Sequence, residues 1–295
     1  MAKKSSTRRN SRGRGSSAKG GRKYPLWVVI LVVALIGMGT RVLKNNSEAR
    51  ASETGSQTTV GHPELGNLMY VRTNPALDEQ LKQYTGFELS FNNRLHVPNW
   101  VGWELLGSET KGSKERTNKF LNDPDMPGCA EDYDYSYSGY DRGHMAPAAD
   151  MKWSGNAMEE SFMLTNVCPQ DHALNGGAWN KLEGKCRTWA QADSAIIIIC
   201  GPVLTDKIKE TIGDSRVAVP QRFFKVVLAP YANPMRGIGF IMPNGKVPGG
   251  MQAAAVSIDE VEAATGHDFF STLPDDIEDE VEKQCDFHYW STVKP

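Results

Sequence analysis

The stretch AIIIICGPVL at residues 195–204 limits the folds open to this chain more than any other segment. Four consecutive isoleucines leave no polar alternate positions, so neither side can face water, and branching at each Cβ favours extended backbone. The stretch reads as a strand buried on both faces, which requires a layer of structure on each side of its sheet. GFELSFN at 86–92 and NWVGWELL at 99–106 alternate like strands and are separated by Asn-Asn and Pro98 turn signals, so they should lie side by side and antiparallel. Residues 222–228 and 237–242 add two more strands, divided by a Pro-Tyr-Ala-Asn-Pro turn. A helix is expected over 175–192, where Trp179, Leu182, Cys186 and Trp189 recur every three or four residues. Another should begin after Ser257, an N-cap followed by Asp259, Glu260 and Glu262.

Charge divides the chain unevenly. The 295 residues, 40% hydrophobic, can bury a substantial core in one or two domains and carry a formal net charge of -2. Residues 1–23 hold nine Lys or Arg and no acid, which leaves 24 basic against 35 acidic residues in the remainder, a balance of -11. Eleven of those acids lie within 259–286, where Lys283 is the one base, and such a run reads first as a solvated helix face. A body of this charge cannot hold nucleic acid by bulk electrostatics, so any such binding must come from a local group of arginines.

The basic tail is too polar to bury a core and is expected to be disordered. Residues 24–40 are seventeen positions without a charge. As a helix they would rise about 26 Å, the short end of a bilayer span. No small-residue cleavage site follows directly, so 24–43 is read as a transmembrane anchor or uncleaved signal. The one-sided charge places residues 1–23 in the cytoplasm and the rest in the periplasm or outside the cell. Residues 44–64 are polar and aperiodic, a tether ahead of a domain over 65–295. Five cysteines suit disulfides in an oxidising compartment, with at least one left over, and no Cys/His spacing points to zinc.

The chemistry concentrates in SGYDRGHMAPAADM at 138–151. Asp141, Arg142, Gly143 and His144 are followed by Met145-Ala146-Pro147, where the proline ends any helix. Taken alone, the tetrad is equally a polar surface turn. A second polar cluster changes the balance: Thr165-Asn166, then Asn175-Gly176-Gly177 through Glu183, then Arg187. On a regular helix Asn175 and Glu183, eight residues apart, would share a face, and Arg187 would extend it. His144 is the candidate general base, since an imidazole titrating near pH 6.5 can take a proton from water. Tyr133, Tyr135, Tyr137 and Tyr140 either line one packed face or stack on bases. His62, His96, His172, His267 and His288 lack such context and read as surface or hydrogen-bonded residues.

DRGHMAPAAD at 141–150, TNVCPQ at 165–170 and ALNGGAWNKLE at 173–183 together resemble the DNA/RNA non-specific endonucleases with a ββα-metal finger. The resemblance spans roughly residues 65–290. It implies an α+β fold, a mainly antiparallel central sheet with flanking helices and a ββα finger carrying the active site, here preceded by the single membrane helix. It implies a metal-dependent hydrolysis of DNA and RNA giving 5′-phosphorylated products, with Mg²⁺, Mn²⁺ or another divalent ion held by Asn175 and water. Glu183 would orient metal-bound water, Arg116, Arg142 and Arg187 would grip phosphate, and Asn166 would help hold the finger. Asp141 is read as structural, orienting a ring or an arginine or capping a turn. Two other readings stay open: a membrane-anchored binder of nucleic acid without turnover, and a phosphodiesterase of small diesters. Homodimer formation and a protein inhibitor are likewise left open.

Overall fold

A computed structural model describes residues 67–295. The tail, the anchor at 24–43, the whole tether at 44–64 and His62 lie outside the described residues. Among the described residues no helix is long and apolar enough to cross a membrane. The strands are β1 (Val71–Arg72), β2 (Gln80–Gln83), β3 (Glu88–Asn92), β4 (Val97–Leu106), β5 (Asp141–His144), β6 (Val167–Gln170), β7 (Ala195–Pro202), β8 (Thr211–Ile212), β9 (Val217–Ala218), β10 (Arg222–Ala229), β11 (Arg236–Pro243), β12 (Ala255–Val256) and β13 (Asp268–Phe269). The α-helices are α1 (Gly155–Glu160), α2 (Asn180–Asp193), α3 (Gly250–Ala254), α4 (Ile258–Thr265), α5 (Asp275–Glu282) and α6 (Phe287–Thr292).

The isoleucine run is the middle strand of a seven-stranded sheet ordered β12-β11-β10-β7-β4-β3-β2, with every neighbouring pair antiparallel. All residues of β7 are buried. Alternation along it divides the core in two. Ile196, Ile198 and Cys200 join an apolar cluster with Leu182, Cys186 and Trp189 of α2, whereas Ile197 and Ile199 pack with Ile258 and Val261 of α4 and Val281 of α5. Both faces of the strand are thus covered, by α2 on one side and by α4 and α5 on the other. The expected pairs also form: β3 with β4, and β10 with β11. Helix α4 starts at a capping box in which Ser257 accepts from the Glu260 N–H and Glu260 accepts from the Ser257 N–H.

Three expectations need correction. The helix expected over 175–192 is not continuous: Leu174–Trp179 forms a wide π-type turn, broken at Gly177 (φ -105°, ψ -112°), before α2 begins. Paired glycines, without a Cβ to restrain them, let the backbone leave the α-helical path there. Asn175 and Glu183 therefore do not share a face through regular helical spacing. The four tyrosines do not line one face, because residues 132–135 coil into a 3₁₀ turn that buries Tyr135 and leaves Tyr133 and Tyr137 exposed. All five cysteines are free thiols, with Cys168, Cys186 and Cys200 buried. His267 is hydrogen-bonded, as expected, and buried: its Nδ1 accepts the Asn74 N–H at 3.0 Å.

Candidate active site

The DRGH tetrad is β5, one strand of a short antiparallel hairpin with β6 in which His144 faces Val167 and Gly143 faces Cys168. Glycine is required in that pair, since a Cβ at residue 143 would lie 2.2 Å from the Gln170 side chain. Asn166 locks the chain on either side. Its Oδ1 accepts the Ala146 N–H at 2.9 Å, and its Nδ2 donates to the carbonyls of Ala146 and Ser161, each at 2.9 Å. The expected supporting role thus has a geometry: one buried amide clasps the loop after His144 to the loop before β6.

His144 is 8% exposed and its Nε2 has no hydrogen-bond partner. Phe162 stands edge-on to the imidazole at 4.9 Å between centroids, and Phe120 lies at 5.1 Å. Burial, reinforced by the Arg116 cation, pushes its pKa down to about 3, so the ring is neutral at pH 7. Arg116 is exposed and stacks over Phe162 at 5.0 Å while its Nε donates to Asn118 at 2.7 Å. Arg142, two residues before His144 and therefore on the same strand face, lies over Phe120 and Tyr135 and is steered by Asp132 at 2.6 Å.

The π-type turn is fastened to the same strand at both ends. Asn175 Nδ2 donates to Asp141 Oδ2 at 2.9 Å, and Trp179 Nε1 donates to the His144 carbonyl at 3.4 Å. His172 also reaches Asp141 Oδ2, at 2.8 Å, so the acid orients both a ring and an amide. With its nitrogen held this way, the Asn175 amide oxygen is the atom of the side chain that could ligate a cation.

Beneath α2 lies a third group. Arg187 Nη1 donates to the buried Asp150 at 2.7 Å, and Trp103 Nε1 reaches the other oxygen at 3.2 Å. Lys225, fully buried on β10, sits over Trp179 at 4.3 Å and Trp103 at 5.1 Å. Burial pushes the Glu183 carboxyl up to about 7, with Asp150 adding to the rise while Lys225, Arg187 and Arg116 pull it back. The Arg116 cation lowers both the His144 and the Glu183 pKa, the latter only slightly beside burial. Arg187, by contrast, has its strongest bond committed to Asp150.

The profile of the DNA/RNA non-specific endonucleases matches residues 65–276, and that span covers the hairpin, the turn and α2. The chain belongs to this family. Among relatives of this endonuclease are Nuclease EXOG, mitochondrial, of Danio rerio, 35% identical over 80% of this chain and 72% of the relative, and its Homo sapiens counterpart, 31% identical over 88% and 75%. Endonuclease G, mitochondrial, of Bos taurus is 31% identical over 63% of this chain and 68% of its own length. The crystal structure of the EndoG/EndoGI complex, concerned with the mechanism of EndoG inhibition, contains a chain that superposes with a TM-score of 0.64. That chain is 28% identical, over 72% of the endonuclease and 93% of its own length.

Sequence reasoning gave no role to Asp150, Lys225, Phe120, Phe162, Asp132 or the His172 contact. One signal was available: Lys225 occupies an inward position between Phe223 and Val227 of an alternating strand, where a charge needs a buried counter-charge. The aromatic wall around His144 had none, because Phe120 and Phe162 lie in separate loops.

Proposed function

We propose that this chain is a metal-dependent endonuclease that hydrolyses phosphodiester bonds of DNA and RNA with little sequence preference. The observation that carries the reading is the neutral, unpartnered imidazole of His144 on the strand to which Asn175 is fastened through Asp141. One neutral amide oxygen suits a hard cation that keeps most of its water, and Asp141 and His172 hold the amide in the orientation that presents it. A bound divalent ion would supply Lewis-acid stabilisation of charge on the phosphate and the leaving oxygen.

The chain's own residues carry the remaining steps. His144 accepts the proton of the attacking water. An anionic phosphate beside Arg116 offsets the cation that depresses the imidazole, so the base strengthens as substrate arrives. Arg116 and Arg142 offer forked donors to phosphate oxygens. Glu183, whose carboxyl burial pushes up to about 7, would orient water for a bound ion, and Arg187, while fixing Asp150, would offer its remaining donors to phosphate. None of these groups reads a base edge, which favours weak sequence preference. Outside the domain, we assign residues 24–43 as the membrane anchor, with the catalytic domain periplasmic or extracellular. Protease accessibility in right-side-out vesicles tests that: digestion confined to the interior would reverse it.

The test is hydrolysis of plasmid, RNA and a small aryl phosphodiester with Mg²⁺ or chelator, beside His144→Ala and Asn175→Ala. We expect plasmid and RNA to be cut only with the metal, and neither variant to approach wild-type rate. Binding without cutting would support a non-catalytic binder, and cutting of the small diester alone would support a narrow phosphodiesterase.

A further inference from the structure

The acidic run at 259–286 mostly behaves as a solvated surface, but one of its members does not. Glu282, the last residue of α5, is 7% exposed, and its Oε1 has no hydrogen-bond partner. It points to two further acids. One oxygen each from Asp259, Glu262 and Glu282 lie within 4.8 Å of one another. Asp259 and Glu262, three residues apart on α4, share a face, and Glu262 is positioned by accepting the Phe269 N–H at 2.7 Å. Gln284 fixes the end of α5 by accepting the Gly237 N–H and donating to the Met235 carbonyl, each at 3.3 Å. The pocket is thus held by backbone contacts that owe nothing to the acids.

Three carboxylates at this range repel one another, and burial adds to the cost. Burial, followed by Glu262 and the other acids, pushes the Glu282 carboxyl up to about 9. No cation answers them: among the described residues none of the three takes part in a salt bridge, Lys283 turns to Asp279, and Arg72 pairs with Asp268. A separation of up to 4.8 Å is what oxygens on opposite sides of one ion would show at about 2.4 Å each.

We propose that Asp259, Glu262 and Glu282 bind a hard divalent cation, with calcium as its best match, and that the ion ties α5 to α4 on the sheet face opposite α2. Three carboxylates from two helices, with water completing the shell, form the flexible all-oxygen site calcium accepts, whereas magnesium demands stricter geometry. The site is separate from the nuclease chemistry, and its role is to hold the carboxy-terminal helices.

Thermal unfolding of the chelator-washed full chain in CaCl₂ tests this, run on an Asn175→Ala background so that an ion at the nuclease site does not contribute. At a hundredfold excess over its Kd, calcium should raise the midpoint by about 5 to 10 °C. Glu282→Gln, of the same shape, and Asp259→Asn, at an exposed position that folding tolerates, should each lose most of that rise. In the otherwise unaltered chain both should still cut plasmid at the wild-type rate. No rise with calcium, or an undiminished rise in Asp259→Asn or Glu282→Gln, would overturn the proposal. Failure of plasmid cutting in the unaltered chain would sink the nuclease reading and leave this one standing.

Discussion

Two basic side chains are sealed among aromatic rings in this domain, and they end in opposite charge states. His144 has Phe120 and Phe162 for walls and the Arg116 cation for a neighbour, and it is driven neutral. Lys225 has Trp103 and Trp179, with Asp150 and Glu183 close by. Burial lowers it as well, but Cys200 and Cys186, followed by Glu183 and Asp150, outweigh that loss, and it stays charged. Burial alone would neutralise both; the groups around each decide. One site thereby holds a neutral imidazole under the influence of Arg116, and the other a cation buried beneath α2.

The largest effects should separate the two. His144→Ala should lower hydrolysis of plasmid by roughly 10² to 10⁴, with only a modest fall in the urea midpoint from the emptied ring site. Lys225→Met should do the reverse in kind, destabilising the fold by about 1 to 3 kcal/mol in urea unfolding because Glu183 and Asp150 lose a nearby buried charge. A Lys225→Met variant as stable as the wild type would mean that the amine is not a needed charge. Next in size, Arg116→Met should cut kcat/KM about tenfold to a hundredfold through lost phosphate contact, and should raise the His144 pKa.

A smaller effect comes with pH. The unfolded imidazole titrates near 6.5 and the folded one near 3, so between these values the unfolded state binds the proton that the native state refuses. The stability His144 contributes is intact above pH 6.5 and is lost as pH falls toward 3. His267, pushed down to about 4 by burial, adds in the same direction. In denaturant titrations between pH 4 and 6, His144→Ala should be less steep than the wild type by about 1 kcal/mol per pH unit. The smallest change is expected for exposed His172→Ala, which removes one of two bonds to Asp141: hydrolysis should fall less than tenfold.

The contrast between these sites also shows what was legible in the sequence. The isoleucine run carried the two-sided sheet, because an unbroken apolar strand has no other stable setting. The strands at 88–92 and 97–106 followed from alternation and turn residues, and those at 222–229 and 236–243 from two strand-like runs flanking the Pro-Tyr-Ala-Asn-Pro turn. Asn166 and His144 were marked by residue type and order along the chain. What failed depended on backbone detail or on distant contacts. Gly176-Gly177 was read through as helix, since periodicity of Trp179, Leu182 and Cys186 does not register an inserted residue. Arg187 was read only towards phosphate, because nothing local reveals that Asp150, thirty-seven positions earlier, also accepts from it. The acids at 259–286 looked uniformly solvated, and only packing against β11 distinguishes Glu282 from its neighbours.

NMR titration of the His144 imidazole in the metal-free full chain tests the centre of this account. The ring should remain neutral from pH 8 to below 5, with its midpoint near 3, and Arg116→Met should move that midpoint upward. A midpoint near 6.5 that ignores Arg116 would contradict the account, since His144 would then be an ordinary solvated histidine.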